Sequence, residues 1–231
     1  MVMVFPARLR KAGEGRQHRR LRRRPAEGAS GPPRHLGLRP LGFASLVTPV
    51  QAPDCETDVA GLRLDFIYGR APGFKGLDLG VVNHTTGDFF GVALGGANLV
   101  NDEFCGLQLG LLNWNDNGNR DWAETSYGGQ VGLVNYADMF CGYQGGLVNI
   151  SENLFTGVQS SLLNVARDMS GLQDGFYLIF GVNIASGNVR GCQIGLVNFA
   201  GTMESGVQIG IVNIIANNGW MPVFPIVNGS F

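Results

Sequence analysis

The strongest constraint on the fold is a unit of about 15 residues that recurs along most of the chain. GLQLGLLN (106–113), GCQIGLVN (191–198) and GVQIGIVN (206–213) are near copies of one another. With Gly61 as position 1, most units begin 15 residues apart, and the other steps are 22, 19 and 14 residues. Such a period indicates an array in which each unit packs on its neighbours. The eleven predicted units begin at Gly61, Gly76, Gly91, Gly106, Gly128, Gly142, Gly157, Phe176, Gly191, Gly206 and Met221.

Each position of the unit accepts few residue types. Position 1 is glycine in nine of the eleven units, position 5 is usually glycine, and position 7 is always aliphatic. Positions 2 and 4 are mostly Leu, Val or Ile, and positions 10–13 have turn-like composition. Six units carry glutamine at position 3, namely Gln108, Gln130, Gln144, Gln159, Gln193 and Gln208. Ten carry asparagine at position 8, namely Asn83, Asn98, Asn113, Asn135, Asn149, Asn164, Asn183, Asn198, Asn213 and Asn228.

The glycine and aliphatic content, without a 3.6-residue period, predicts an all-β chain. In the favoured arrangement each unit is one coil of a β-solenoid, with bends at positions 1, 5 and 10–13. Equivalent residues then stack about 4.8 Å apart, so that the Asn and Gln amides form hydrogen-bonded ladders. We therefore predict a β-solenoid of about eleven coils, with the insertions after Gly106 and Gly157 bulging at one corner.

The alternative is an antiparallel β-meander or β-barrel in which each unit is one strand and a tight turn. If side chains alternate strictly between the two faces of the sheet, positions 2, 4 and 6 share one face, and this apolar span of five residues is about 13–14 Å long. A membrane barrel needs an apolar band of about 25 Å, so the solenoid is preferred. The alternative fold would imply a different function, that of an outer-membrane β-barrel or pore-like protein.

The repeat also resembles a known family. The tandem G-x-Q-x-G-L-x-N units, the ending PVFPIVNGSF (222–231) and the entry stretch GLRLDFIYGRAPGFKGLDLGVVN (61–83) are similar to bacterial surface-repeat proteins of the leptospiral type. The resemblance covers about three quarters of the chain. It implies an envelope or surface location and carries over no enzymatic activity and no catalytic residue.

The charge distribution predicts two regions, residues 1–52 and 53–231. Residues 1–50 carry eleven Lys and Arg against two acids, whereas residues 51–231 carry six against sixteen. We expect residues 1–52 to be a disordered basic leader, or an export signal because LGFASLVTPVQA (41–52) follows the basic stretch and ends in small residues. Binding of nucleic acid by this arm is the least favoured interpretation. Residues 221–231 are predicted to cap the array, because proline cannot extend a strand ladder.

One insertion offers the few candidate binding residues. A calcium-loop spacing is matched there, but with only two carboxylates a polar surface loop is the preferred interpretation. The matching residues are Asn113, Asn115, Asn117, Gly118, Asp121 and Glu124. Aromatic residues in the same region could contact a sugar or a protein, although packing of the loop on the array is simpler. The candidate binding loop comprises Trp114, Asp121, Trp122, Glu124 and Tyr127.

Apart from that calcium-loop spacing, no sequence motif points to catalysis, a cofactor or a metal. His84 is predicted to be a core or edge residue, and no apolar run is long enough for a transmembrane helix. Cys105 and Cys141 lie two units apart, about 9–10 Å in a solenoid, which is too far for a disulfide. We expect a non-catalytic envelope or surface protein that presents a long, amide-lined face to proteins or glycans.

Overall fold

The computed structural model describes the backbone of residues 42–47, 50–52 and 59 and all atoms of residues 58, 60–116, 125–175 and 180–231. These residues form strands and turns and contain no helix. The strands are β1 (Gly42–Val47), β2 (Val50–Ala52), β3 (Val59–Ala71), β4 (Phe74–Thr85), β5 (Phe89–Val100), β6 (Phe104–Leu109), β7 (Leu112–Asn115), β8 (Ser126–Val131), β9 (Val134–Ala137), β10 (Phe140–Gly145), β11 (Val148–Ser160), β12 (Leu163–Asp174), β13 (Val182–Ile194), β14 (Val197–Asn217) and β15 (Val223–Ser230).

The units stack as parallel coils, which confirms the β-solenoid. From β3 to β14, each strand pairs in parallel with its equivalent in the next coil, and position 1 lies opposite position 1 throughout. This parallel pairing excludes the antiparallel meander for these coils. One stacked glycine marks the start of each coil, and the ten glycines delimit nine complete turns. They are Gly61, Gly76, Gly91, Gly106, Gly128, Gly142, Gly157, Gly171, Gly191 and Gly206.

Position 1 requires glycine for two physical reasons. All ten residues have φ between 106° and 151°, a region that L side chains rarely adopt. A Cβ at Gly142, for example, would also lie 2.0 Å from the carbonyl oxygen of Gly128 in the coil below. The repeated glycine therefore kinks each coil and lets two backbones approach closely.

The apolar part of the interior is narrow and aromatic. Phe74, Phe89 and Phe104 stack with ring centroids 5.5 and 5.8 Å apart, and Phe140 and Phe155 continue the column at 6.3 Å. Ser126 occupies the intervening coil and is buried, yet the rings of Phe104 and Phe140 still come within 6.4 Å across it. Buried methionine, valine and alanine side chains complete the core in the later coils. The phenylalanines of successive coils thus form a stacked column inside the solenoid.

One predicted unit boundary is wrong. Gly171, not Phe176, occupies position 1, because it lies between Gly157 and Gly191 in the parallel register. The extra residues enter between Asp174 and Val182, at the bend after position 4. The other insertion follows Asn115, at position 10. The two insertions therefore lie at different bends, and not at one corner as expected.

Both ends of the array also differ from the prediction. Residues 42–47 and 50–52 were expected to lack structure, but β1 pairs in parallel with β3 and β2 pairs antiparallel with β1. The mildly apolar composition of 41–52 supplies a strand that covers the first edge. At the other end, the unit from Met221 is not an eleventh coil, because β15 runs antiparallel to β14. Residues 1–41 and 53–57 lie outside the described part of the chain, as does Cys55.

Candidate functional surface

A continuous ladder of asparagine amides runs through the interior. The Nδ2 of each asparagine at position 8 donates to the Oδ1 of the asparagine in the next coil, at 2.8–3.0 Å. Most of these Nδ2 groups donate a second hydrogen bond to a backbone carbonyl. The nine buried members are Asn83, Asn98, Asn113, Asn135, Asn149, Asn164, Asn183, Asn198 and Asn213. Burial of these amides costs little because each finds partners in the adjacent coils.

The glycine at position 5 makes room for this ladder. A Cβ on Gly110 would lie 2.7 Å from Nδ2 of Asn98 and 3.2 Å from Oδ1 of Asn113. Where Ser161 replaces the glycine, its hydroxyl donates to Oδ1 of Asn164 at 2.8 Å. Glycine at position 5 and asparagine at position 8 therefore occur together, because the asparagine ladder occupies the space that a position 5 side chain would fill.

A second amide ladder runs in the opposite donor direction. The Nε2 of each glutamine at position 3 donates to the Oε1 of the glutamine in the preceding coil, at 2.7–3.0 Å. Sequence reasoning missed Gln173, although the G-L-Q at residues 171–173 carried the signal, because the insertion displaced it from Asn183. The seven members are Gln108, Gln130, Gln144, Gln159, Gln173, Gln193 and Gln208.

Asn228 does not belong to the asparagine row, which corrects the sequence prediction. It lies opposite Gln208 in the antiparallel β15. Its Nδ2 donates to the carbonyl of Met221 at 2.7 Å, and its Oδ1 accepts from the backbone N–H of Gly229 at 2.9 Å. Asn228 thus closes the terminal turn, and the ladder ends at Asn213.

The outer surface is aliphatic, and not amide-lined as the sequence suggested. Positions 3, 8, 10 and 14 face inward, so the Leu, Val and Ile side chains of positions 2, 4, 6, 7 and 9 face outward. The outer rows are partly shielded by their own neighbours above and below, but position 6 projects furthest. Exposed members of the position 6 row are Phe66, Val81, Leu111, Leu133, Leu147, Leu162 and Ile211.

Charged side chains concentrate at the opposite bend, at positions 10–15. The Tyr136 hydroxyl donates to Glu152, and Asn153 donates to Asp138 in the preceding coil. Burial and the Glu152 carboxylate raise the pKa of Tyr136, so it remains a neutral donor. The coil is therefore amphipathic across its width, with one apolar bend and one polar bend.

Only two of the five candidate binding residues lie within the described part of the chain. Trp114 stacks on Tyr136 with ring centroids 3.9 Å apart and remains 37% exposed. Tyr127 is also exposed, but it lies in β8 between Cys105 and Cys141 of the neighbouring coils. The structure thus joins Trp114 to Tyr136 and places Tyr127 on a separate strand. Asp121, Trp122 and Glu124 lie outside the described residues.

The first two residues of the calcium-loop pattern lie inside the coil. The Oδ1 of Asn113 accepts from Asn98, and Asn115 is fully buried at position 10. Neither side chain points to the surface loop that the hypothesis required. Asn117, Gly118, Asp121 and Glu124 fall within the undescribed residues 117–124.

The first coils contain a buried ionic cluster that sequence reasoning missed. The Arg63 guanidinium donates to the Asp78 carboxylate, with Nε 2.7 Å from Oδ1, and lies 3.0 Å from Oδ2 of Asp65. Burial raises the pKa of Asp65 to about 7, although the Arg63 charge opposes this shift, and burial also raises the pKa of Asp78. Arg63 and Asp78 both occupy position 3, where most other coils carry glutamine. Two opposite charges at this position in adjacent units were the sequence signal that could have predicted the cluster.

His84 is partly buried on β4, between the neighbouring strands β3 and β5. Its Nδ1 lies 2.7 Å from the Tyr68 hydroxyl, and burial lowers the pKa of its imidazole. Cys105 and Cys141 are unbridged, with Tyr127 between them. Within the described residues, no group of three His, Cys, Asp or Glu side chains could hold a metal ion. The described segments also contain no helix with the length and apolarity that a bilayer crossing requires.

Comparisons of the chain with protein-family models, with curated proteins and with solved structures returned no match.

Proposed function

We propose that this chain is a non-catalytic repeat protein of the bacterial envelope or cell surface, and that its outer β faces contact proteins or glycans. The main support is the outward position of the aliphatic rows on a backbone braced by two internal amide ladders. Rows of exposed aliphatic side chains on a rigid scaffold are typical of contact surfaces.

The buried polar side chains support a structural rather than a chemical role. The Asn and Gln amides hydrogen-bond to one another, and Arg63 pairs with Asp65 and Asp78 inside the first coils. The outer rows, by contrast, are chemically inert. The half-exposed Trp114–Tyr136 stack favours a glycan or an aromatic-rich protein segment as a further contact on this surface.

The envelope location rests on the resemblance of the repeat units and on the basic, then mildly apolar, N-terminal stretch. The test is expression of the full chain in a bacterium, with an epitope inserted within residues 117–124. We expect the epitope in the envelope fraction, and its digestion by protease added to intact cells. The same chain without residues 1–52 is the matched control and should remain in the cytoplasm. Cytoplasmic retention of the full chain would refute the location.

Contact through the outer face is tested by co-sedimentation of the purified chain with isolated bacterial envelopes. Leu77→Glu places a charge on the outer row at position 2, whereas Leu154→Glu places one at the polar bend in a side chain of similar exposure. We expect the first variant to sediment less and the second to behave like the parent. Equal sedimentation of all three proteins would contradict the proposal.

A further inference from the structure

The first coil departs from the asparagine ladder at two positions. In the parallel register Gly69 lies opposite Asn83, so the first coil supplies no asparagine amide to the Oδ1 of Asn83. Asp65 lies opposite Gly80, at position 5, where most other coils carry glycine. A Cβ on Gly69 would lie 1.8 Å from Oδ1 of Asp65. The Asp65 carboxyl therefore fills the space that a ladder amide fills in the other coils.

This carboxyl has no hydrogen-bond donor of its own. Both oxygens of Asp65 are buried and accept no hydrogen bond within the described part of the chain. Arg63 Nε lies 3.0 Å from Oδ2 of Asp65, but Nε and Nη2 of Arg63 both donate to the carboxylate of Asp78. The neighbouring ladder group, Oδ1 of Asn83, is another acceptor without a partner. A carboxyl among acceptors makes a hydrogen bond only if it carries a proton and donates.

The charge balance of the cluster leads to the same conclusion. The side chains of Arg63, Asp65 and Asp78 are fully buried, so one guanidinium charge faces two carboxyls. A buried, uncompensated charge is costly, and two adjacent carboxyls that cannot both ionise share one proton. Burial raises the pKa of Asp65 to about 7 against the effect of the Arg63 charge, and the charge and hydrogen bond of Asp78 add to the rise.

No other charge around the cluster removes the need for this proton. Burial lowers the pKa of His84, so its imidazole, which contacts the Tyr68 hydroxyl, is neutral at pH 7. Arg70 lies opposite His84 in the register and is exposed to water. On the outer strands, β1 has the sequence GFASLV, without an ionisable residue, and Ala93 of β5 lies opposite Asp78.

We propose that Asp65 and Asp78, which we call the carboxyl pair, form a pH-sensitive switch: the first coil stays closed while the pair holds one shared proton and opens when that proton is lost. In the closed state the Asp65 O–H donates to the Asp78 carboxylate, which also accepts from Arg63. Loss of the proton leaves two carboxylates side by side and a net negative charge in the interior. Opening of β3 relieves both by exposing Asp65 to water.

The opening is confined to the first coil. β4 pairs with β3 from Val59 to Ala71, whereas β1 covers β3 only from Leu62 to Tyr68. Among the charged side chains of the described residues, Arg63, Asp65 and Asp78 alone are buried. The later coils are held by neutral amide ladders, which do not titrate. A coil at the end of the array can open while the rest stays folded.

The test is hydrogen exchange of the full, unmodified chain between pH 5 and pH 8.5, corrected for the intrinsic pH dependence of exchange. Protection of residues 59–71 should be constant below about pH 6. It should fall by about tenfold per pH unit above pH 7, because opening releases one proton. Residues 142–157 provide the internal reference and should keep their protection. Constant protection of residues 59–71, or an equal fall in the reference, would overturn the inference.

Three variants separate the carboxyl pair from a general effect of pH. In Asp65→Asn the amide donates to Asp78 at every pH, and in Asp78→Asn one carboxylate balances Arg63 without a proton. Both changes should abolish the fall in protection of residues 59–71. The matched control is Asp88→Asn, which removes an exposed carboxylate and should keep the fall. A fall that persists in Asp65→Asn, or that is lost in Asp88→Asn, would also overturn the inference.

Discussion

The asparagine ladder predicts that an interior member contributes more to stability than the first member. Asn135 accepts from Asn113 at 2.8 Å and donates to Asn149 at 2.8 Å. Asn83 donates to Asn98 at 2.8 Å, but its own Oδ1 has no partner within the described residues. Replacement of each by leucine keeps a side chain branched at Cγ and removes only the amide chemistry.

The expected magnitudes follow from the groups that each change leaves unpaired. Asn135→Leu orphans one N–H of Asn113 and the Oδ1 of Asn149, and each buried unpaired group costs about 1–3 kcal/mol. The Gly145 carbonyl keeps the backbone N–H of Gly132 as a partner. We therefore expect a loss of about 2–6 kcal/mol, a large fraction of the stability of a typical domain.

Asn83→Leu should cost less for two reasons. It orphans one buried side-chain group, the Oδ1 of Asn98, at about 1–3 kcal/mol, and it removes the unpartnered Oδ1 of Asn83 itself. The bond from Asn83 to the Leu94 carbonyl is also lost, as the bond from Asn135 to the Gly145 carbonyl is in the other variant. The two effects oppose each other, so the net loss should be small. The comparison thus isolates position in the ladder from the identity of the substitution.

The assay is urea denaturation of the two variants beside the parent, combined with hydrogen exchange near each site. Repeat arrays can unfold in parts, so the local measurement keeps each loss assigned to its own coils. Equal losses in the two variants, or a larger loss for Asn83→Leu, would refute the ladder as the reason for the repeated asparagine.

Three further predictions concern other parts of the array. Burial raises the pKa of Asp65 from its ordinary value of 3.8 to about 7, so its contribution to stability is fully present below about pH 4 and is lost as the pH rises through 7. Asp65→Asn should therefore gain stability relative to the parent between pH 4 and 8 in urea titrations. A difference that stays constant over this pH range would contradict the prediction. Gly142→Ala should destabilise by more than about 1 kcal/mol because of its positive φ and carbonyl contact, whereas Gly129→Ala, which meets only the tip of one side chain, should be nearly neutral in the same assay. Cys105 and Cys141 should both be alkylated without reductant, as read by peptide mass, and a disulfide between them would contradict the coil register.

Several elements of the fold could be predicted because they depend on local sequence alone. Glycine at position 1 and asparagine at position 8 recur at one spacing, and that spacing predicts stacking wherever the coil is uninterrupted. The prediction was wrong at Phe176, because an insertion inside a coil changes the spacing without changing the stack. It was also wrong at Asn228, because a side chain at the expected spacing joins the ladder only if its strand runs parallel to the others.

The sequence by itself determined the period, the β class and the residues that stack, since an in-register parallel array places like side chains beside like. Only the tertiary structure decided which side chains face inward. The usual preference for buried aliphatic residues would place leucine and valine inside, but here the Asn and Gln amides are buried and the aliphatic rows lie outside. The physical reason is that each amide obtains its hydrogen-bond partners from the coils above and below. Those partners exist only once the chain has closed into coils, so no single unit contains the information that its polar side is the core.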